Sequence, residues 1–143
     1  MNRGYRYLEH MSDLYIEAYG ANLKEAFEEA AKATFNAITD LNNVSPIIKK
    51  EIIIEGFDEF SLLYNWIEKL LQIFEIENFI PCIFNIKKIS KKEDKIFLEA
   101  IVKGEEFNYE KHTHGIGIKS MTYALMEIIY EKSKVIVRFL LDI

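Results

Sequence analysis

Two stretches of the chain repeat their apolar residues at helical spacing. In the first, Leu23, Ala26, Phe27, Ala30, Ala31, Thr34 and Ile38 line one face, and Lys24, Glu25, Glu28, Glu29 and Lys32 line the other. Asn22 is a good N-cap, and Glu25 three residues later suggests a start resembling a capping box. This helix should end before Asn42, Asn43 and Pro46. The second runs from about Glu59 to Glu77, with a narrow polar stripe of Ser61, Asn65, Glu68, Gln72 and Glu75. Apolar residues, among them Leu63, Trp66, Ile67 and Leu70, fill most of its remaining girth, so it is expected to be buried on two sides or covered by a partner.

Around these helices the pattern predicts strands at Tyr5–Leu8, Leu14–Tyr19, Lys50–Phe57, Ile80–Ile89, Ile96–Lys103 and Lys134–Leu141. Ser90–Lys95 reads as a charged hairpin tip. Gly117–Tyr130 fits neither period, and its Thr, Tyr and Ile content favours a strand. Strands interrupted by two helices predict an α+β fold, with both helices packed on a mostly antiparallel or mixed sheet.

Composition narrows the class. The chain has 143 residues, 50% hydrophobic and 29% charged, enough apolar material to bury a core and the length of a single domain spanning 1–143. A formal net charge of −5 disfavours direct nucleic-acid binding, which needs an excess of Lys and Arg, although Lys87-Lys88 and Lys91-Lys92 make a small basic spot. Cys82 is the one cysteine, which excludes an internal disulfide and a CxxC motif; following Pro81 in an apolar run, it reads as a core residue. The N-terminus, Met1 to Tyr7, has no apolar signal core, and no apolar run nears the ~20 residues that span a bilayer. A soluble cytoplasmic domain without a membrane partner is expected.

Three places carry candidate chemistry. His10-Met11-Ser12-Asp13 is an HxxD segment with no nucleophile and no two-histidine metal spacing; taken alone, His10 reads as a surface or core residue and Asp13 as one that caps or precedes a strand. At the other end, the pattern points Val135, Val137, Phe139 and Leu141 to one face of a strand, and Ile136, Arg138, Leu140 and Asp142 to the other. The strand runs into Asp142-Ile143, setting a side-chain carboxylate a few Å from the α-carboxylate. Two such anions repel by about 3–4 kcal/mol at ~4–5 Å and an effective dielectric of about 20. Exposure to solvent would relax that repulsion, and so would a hard cation such as Ca²⁺ or Mg²⁺. Third, His112 and His114 at i, i+2 would share a face if they lay on a strand and could form half of a zinc site, or they lie in a solvated loop. Lys119 reads as an edge or snorkelling lysine. The chain contains no GxGxxG, GxxxxGK[ST] or GxSxG motif.

Together these segments resemble the archease family, whose members assist the tRNA-splicing RNA ligase. The resemblance rests on His10–Asp13, similar to the family's H-T-[AS]-D, on Glu17–Gly20, Leu23–Glu28, Leu62–Ile67, Gly104-Glu105, Lys111-His112 and Lys119–Tyr123, and on Val137-Arg138 with Leu141-Asp142-Ile143, in the family's order. It implies an accessory protein that is not an enzyme, promotes guanylylation of the ligase and keeps it turning over. It also implies a divalent-cation site, usually described with calcium, formed by Asp13, Asp142 and the backbone of Ile143. Lys119 matches a family lysine, and His10 and His112 stand within matched motifs, so all three are expected as functional or partner-contact residues. Met11 departs from the family's Thr, and Asn65 and Asn108 stand where it commonly has Asp, which leaves a single metal site expected. Two other classes remain open: a metal-dependent phosphoesterase or nuclease using the same acidic cluster, to which His10, His112 and His114 could add ligands if the fold brings them together, and a chaperone or modulator of RNA-modifying enzymes.

Overall fold

A computed structural model describes residues 2–143; Met1, part of the N-terminal segment read above, lies outside them. The elements run β1 (Gly4–Leu8), β2 (Asp13–Gly20), α1 (Leu23–Ile38), β3 (Ile48–Gly56), α2 (Glu59–Glu77), β4 (Phe79–Lys92), β5 (Lys95–Glu106), β6 (Ser120–Met121), β7 (Glu127–Glu131) and β8 (Lys134–Asp142). The helices start where the sequence says. Asn22 Oδ1 accepts the Glu25 N–H at 2.9 Å, but Glu25 reaches back to the N–H of Ala21, one residue before the cap. Asp58 and Ser61 close a full capping box on α2. Asn78 ends that helix in the left-handed region, with φ 55°.

The strands form two sheets, where one was expected, and every pairing is antiparallel. The first has the order β1-β2-β8, with β6 and β7 sharing the far edge of β8; the second is β3-β5-β4. The helices lie between the sheets. Helix α1 packs on β2 and β8 one way and β4 the other, and α2 on β3, β4 and β5 one way and β6 and β7 the other. This explains the apolar girth of α2: Leu62, Leu63, Trp66, Ile67 and Leu70 are all buried within the fold. Trp66 is fully buried and donates Nε1–H to Phe27 O of α1 at 2.9 Å, satisfying its one polar atom. Glu29, expected on the polar face of α1, is instead buried, with Arg3 Nε at 2.7 Å from its carboxylate. In the polar stripe of α2, Asn65 donates to Glu55 O and Glu68 accepts the Met121 N–H, so part of the stripe ties helix to strand.

Two expectations need correction. Gly117–Tyr130 is not one strand. It touches β8 as two-residue β6, bulges away through Tyr123–Met126 with Leu125 at φ 56°, and returns as β7. Its mixed periodicity follows: Met121 turns into the core, while Tyr123 leaves the sheet to stack on Tyr64 of α2, with centroids 4.4 Å apart. The charged tip at 90–95 is shorter than read, because β4 and β5 stay paired to Lys92 and Lys95 and only Glu93-Asp94 turns.

Candidate functional site

In β2, Leu14, Ile16 and Ala18 face the helices and are buried; opposite them in β8 are Leu141, Phe139 and Val137, all fully buried. Because side chains alternate, a slip of one residue would turn both apolar sets outward, so the core holds the register firmly. That register pairs Glu17 with Arg138, Tyr15 with Leu140, and Asp13 with Asp142. The alternation expected for residues 135–142 is the one observed.

The outer rows differ in their charge balance. In the Glu17 row, Arg6 of β1 and Arg138 of β8 both bond the carboxylate, at 2.7 and 2.9 Å, and Arg138 continues to Glu127 of β7 at 3.1 Å. The Arg6 guanidinium, helped by that of Arg138, holds the Glu17 carboxyl below the usual carboxylate range against the effect of burial. Two rows on, Asp13 faces Asp142 without a guanidinium. Among the described residues no Lys or Arg pairs with either, and the ionic neighbour of Asp13 is His10, with Nδ1 3.5 Å from Oδ2. The turn that delivers Asp13 carries Ser12 at φ 69°. On its other side Asp142 lies in register with Ser120, and its carbonyl accepts the Lys119 N–H at 2.8 Å. Ile143 is half-buried against the core, which holds the residue after Asp142 in place. Two half-exposed carboxylates and an adjacent main-chain oxygen make a hard-oxygen donor set of the kind Ca²⁺ takes, and their neighbours leave the negative charge uncompensated. The residues present therefore fit a divalent cation.

The other singled-out residues separate. Lys119 is exposed beside Asp142. The His112 side chain is fully buried. Its Nδ1 accepts the Asn108 N–H at 2.8 Å, so Nε2 carries the hydrogen and donates to Glu105 at 2.8 Å. A ring so enclosed braces the loop and has no surface to offer a partner. Burial pushes the Glu105 carboxyl up, but hydrogen bonds from Lys111, the Ser45 N–H and His112 prevail and bring it down to about 2. His112 and His114 lie in a loop, not on a strand; His114 is exposed and bonded to Tyr109 O. Among the described residues no group of three or more His, Cys, Asp or Glu side chains is placed to hold a metal ion. Asn65 and Asn108 both serve the backbone, Asn108 by accepting the N–H groups of Glu110 and Lys111. Cys82 is half-buried, and burial pushes its thiol up, away from nucleophilic use. Sequence reasoning missed the Arg6–Glu17–Arg138–Glu127 ladder, whose signal was a charged residue at every fourth position of otherwise apolar strands: Asp13 and Glu17, Glu127 and Glu131, and Lys134, Arg138 and Asp142.

No helix is long and apolar enough to cross a membrane. Among curated proteins, the archease of Sulfurisphaera tokodaii is 38% identical over 97% of this chain and 98% of that protein. The solution structure of Methanobacterium thermoautotrophicum protein 1598 superposes with a TM-score of 0.83 at 33% identity, covering 98% of this chain and 99% of that one. The crystal structure of an archease from Thermotoga maritima, described as a possible chaperone, has the same fold, with a TM-score of 0.61 at 16% identity over 96% of each chain. Residues 5–143 match the model of the Archease protein family (MTH1598/TM1083), and with a relative this similar over nearly its whole length, the chain belongs to the archease family.

Proposed function

We propose that this protein is a non-catalytic accessory factor of the tRNA-splicing RNA ligase, promoting guanylylation of the ligase and its turnover. The observation that carries the reading is the in-register pair Asp13–Asp142 beside Ile143, set in a sheet whose neighbouring carboxylates are matched by arginines. Asp13, Asp142 and a main-chain oxygen of Ile143 would hold a divalent cation, probed first as calcium. Such an ion neutralises carboxylate or phosphate oxygens. The chain's own residues do the rest. The β2–β8 register presents the two carboxylates together, and the Lys119 N–H bond to Asp142 O fixes the main chain beside them. Lys119 itself stands exposed at the rim, where it can meet a phosphate or a carboxylate of the partner.

Single-turnover guanylylation of the cognate ligase, with and without this protein, is the test. Faster transfer is expected, and an unchanged rate overturns the proposal. A chaperone role is the second reading, favoured by exposed apolar side chains such as Phe57 at 78% and Ile76 at 81%. It predicts suppressed aggregation of unrelated proteins, which an accessory factor dedicated to one partner would not show.

A further inference from the structure

A row of exposed aromatic rings begins where the candidate site ends. The segment that leaves Asp142 through Lys119 and Ser120 bonds Leu140 O through Thr122, then lays Tyr123 flat on Tyr64 of α2. One turn before Tyr64 on α2 stands Phe60, 41% exposed, and the residue before it, Glu59, accepts the Tyr130 hydroxyl at 2.6 Å. Tyr123 and Tyr130 remain 53% and 59% exposed. Between them Leu125 sits 54% exposed with its backbone in the left-handed region at φ 56°, a conformation that a leucine rarely takes. Single exposed apolar residues need no explanation, but four rings and a leucine grouped around one helix end do.

The charges around these rings say what covers them. The two segments that carry them, 57–69 and 119–132, hold five carboxylates (Asp58, Glu59, Glu68, Glu127 and Glu131) against Lys69, Lys119 and Lys132, and Glu127 is also bonded to Arg138. That leaves the rim mildly acidic, with Asp58 and Glu131 exposed, so it favours a cationic partner over a phosphate. Tyrosine and phenylalanine faces bind guanidinium groups, and arginine is enriched at protein interfaces. An enzyme that processes RNA must carry arginine and lysine for its phosphates. We infer that Phe60, Tyr64, Tyr123, Leu125 and Tyr130 form a docking surface for an arginine-bearing face of the protein partner, continuous with the Asp13–Asp142 site. The inference rests on the accessory-factor reading and adds the surface and its occupant's chemistry.

Binding of the purified cognate ligase by biolayer interferometry tests it, at about 50 and 500 mM salt. Tyr123→Ser with Leu125→Ser is expected to raise Kd at least about tenfold, and Tyr123→Phe to stay near wild type. Glu131→Lys, a surface charge reversal with no packing to lose, should weaken binding about threefold to tenfold at low salt and much less at high salt. Ile53→Ser, at a residue 67% exposed on the outer face of the other sheet, should leave Kd within about twofold. Patch variants that bind and stimulate the ligase as wild type does overturn this inference and leave the accessory reading standing. A wild-type protein that neither binds nor stimulates the ligase overturns both. Binding of a single-stranded RNA oligonucleotide, lost in the patch variants while ligase binding persists, also overturns it.

Discussion

Asp142→Asn separates two effects that the paired carboxylates combine. Without a divalent cation the substitution removes a like-charge contact, so the variant should melt at or above the wild-type temperature. With calcium at a hundredfold excess over Kd, wild type should gain about 2.7 kcal/mol, roughly 5–10 °C for a domain of this size, and the variant little of it. Thermal melts in EDTA and in calcium read both, and a wild type indifferent to calcium removes the ion from the proposal. His112 makes a second residue-scale case. Its ring fills a buried site and satisfies the Asn108 N–H and Glu105 at once, so His112→Ala should cost about 2–4 kcal/mol in urea unfolding. The loss should appear as instability, with the ligase's response per folded molecule preserved. Glu105 predicts a pH effect. Its folded-state carboxyl lies at about 2 against an ordinary 4.5, so its contribution is complete above pH 4.5 and is lost as pH falls from there toward about 2. Stability measured across that window should fall less steeply in Glu105→Gln than in wild type.

At the scale of elements, the helices and the long strands were legible because each keeps a single period and ends on recognisable chemistry. Glu59–Glu77 is bounded by Asp58 and Asn78, as a helix should be. Gly117–Tyr130 was not legible, because its partners change every few residues: β8, then α2, then β8 again. The division into two sheets was also hidden, since pairing β8 with β2 depends on which side of the helices each strand passes. The acidic pair was half legible. The terminal strand's alternation shows which way Asp142 points; its partner 129 residues earlier is named by the family resemblance alone, and the β2–β8 register sets the two opposite each other. Gly104 gives an element-scale prediction. A Cβ there would run into Ile80 O and Pro81 Cα of β4, where the β4–β5 register shifts. Gly104→Ala should therefore cost about 1–3 kcal/mol or more in chemical denaturation, though alanine is usually mild in a strand. A variant as stable as wild type would show that β4 can retreat from β5.

For the molecule as a whole, the layered arrangement ties the candidate site to the entire fold. The second sheet does not touch Asp13 or Asp142, yet it closes over helices whose opposite faces support β2 and β8. Residues appended after Ile143 test this separation of scaffold from site. A short flexible extension should leave the melting temperature within a few degrees, because Leu141 and its neighbours stay buried, while calcium binding and ligase stimulation drop sharply. An extended protein that stimulates normally would exclude the main chain of Ile143 from the site. An interior strand of the first sheet, β8, is drawn from the last tenth of the sequence, and its neighbour β2 from the first seventh. During synthesis the N-terminal hairpin must wait, one side unclosed, until β8 has left the ribosome; the pairing that completes it closes a very long loop and should be slow. Ion binding at the Asp13–Asp142 junction would then report that β8 has paired with β2, and chains lacking β8 could not assemble the site.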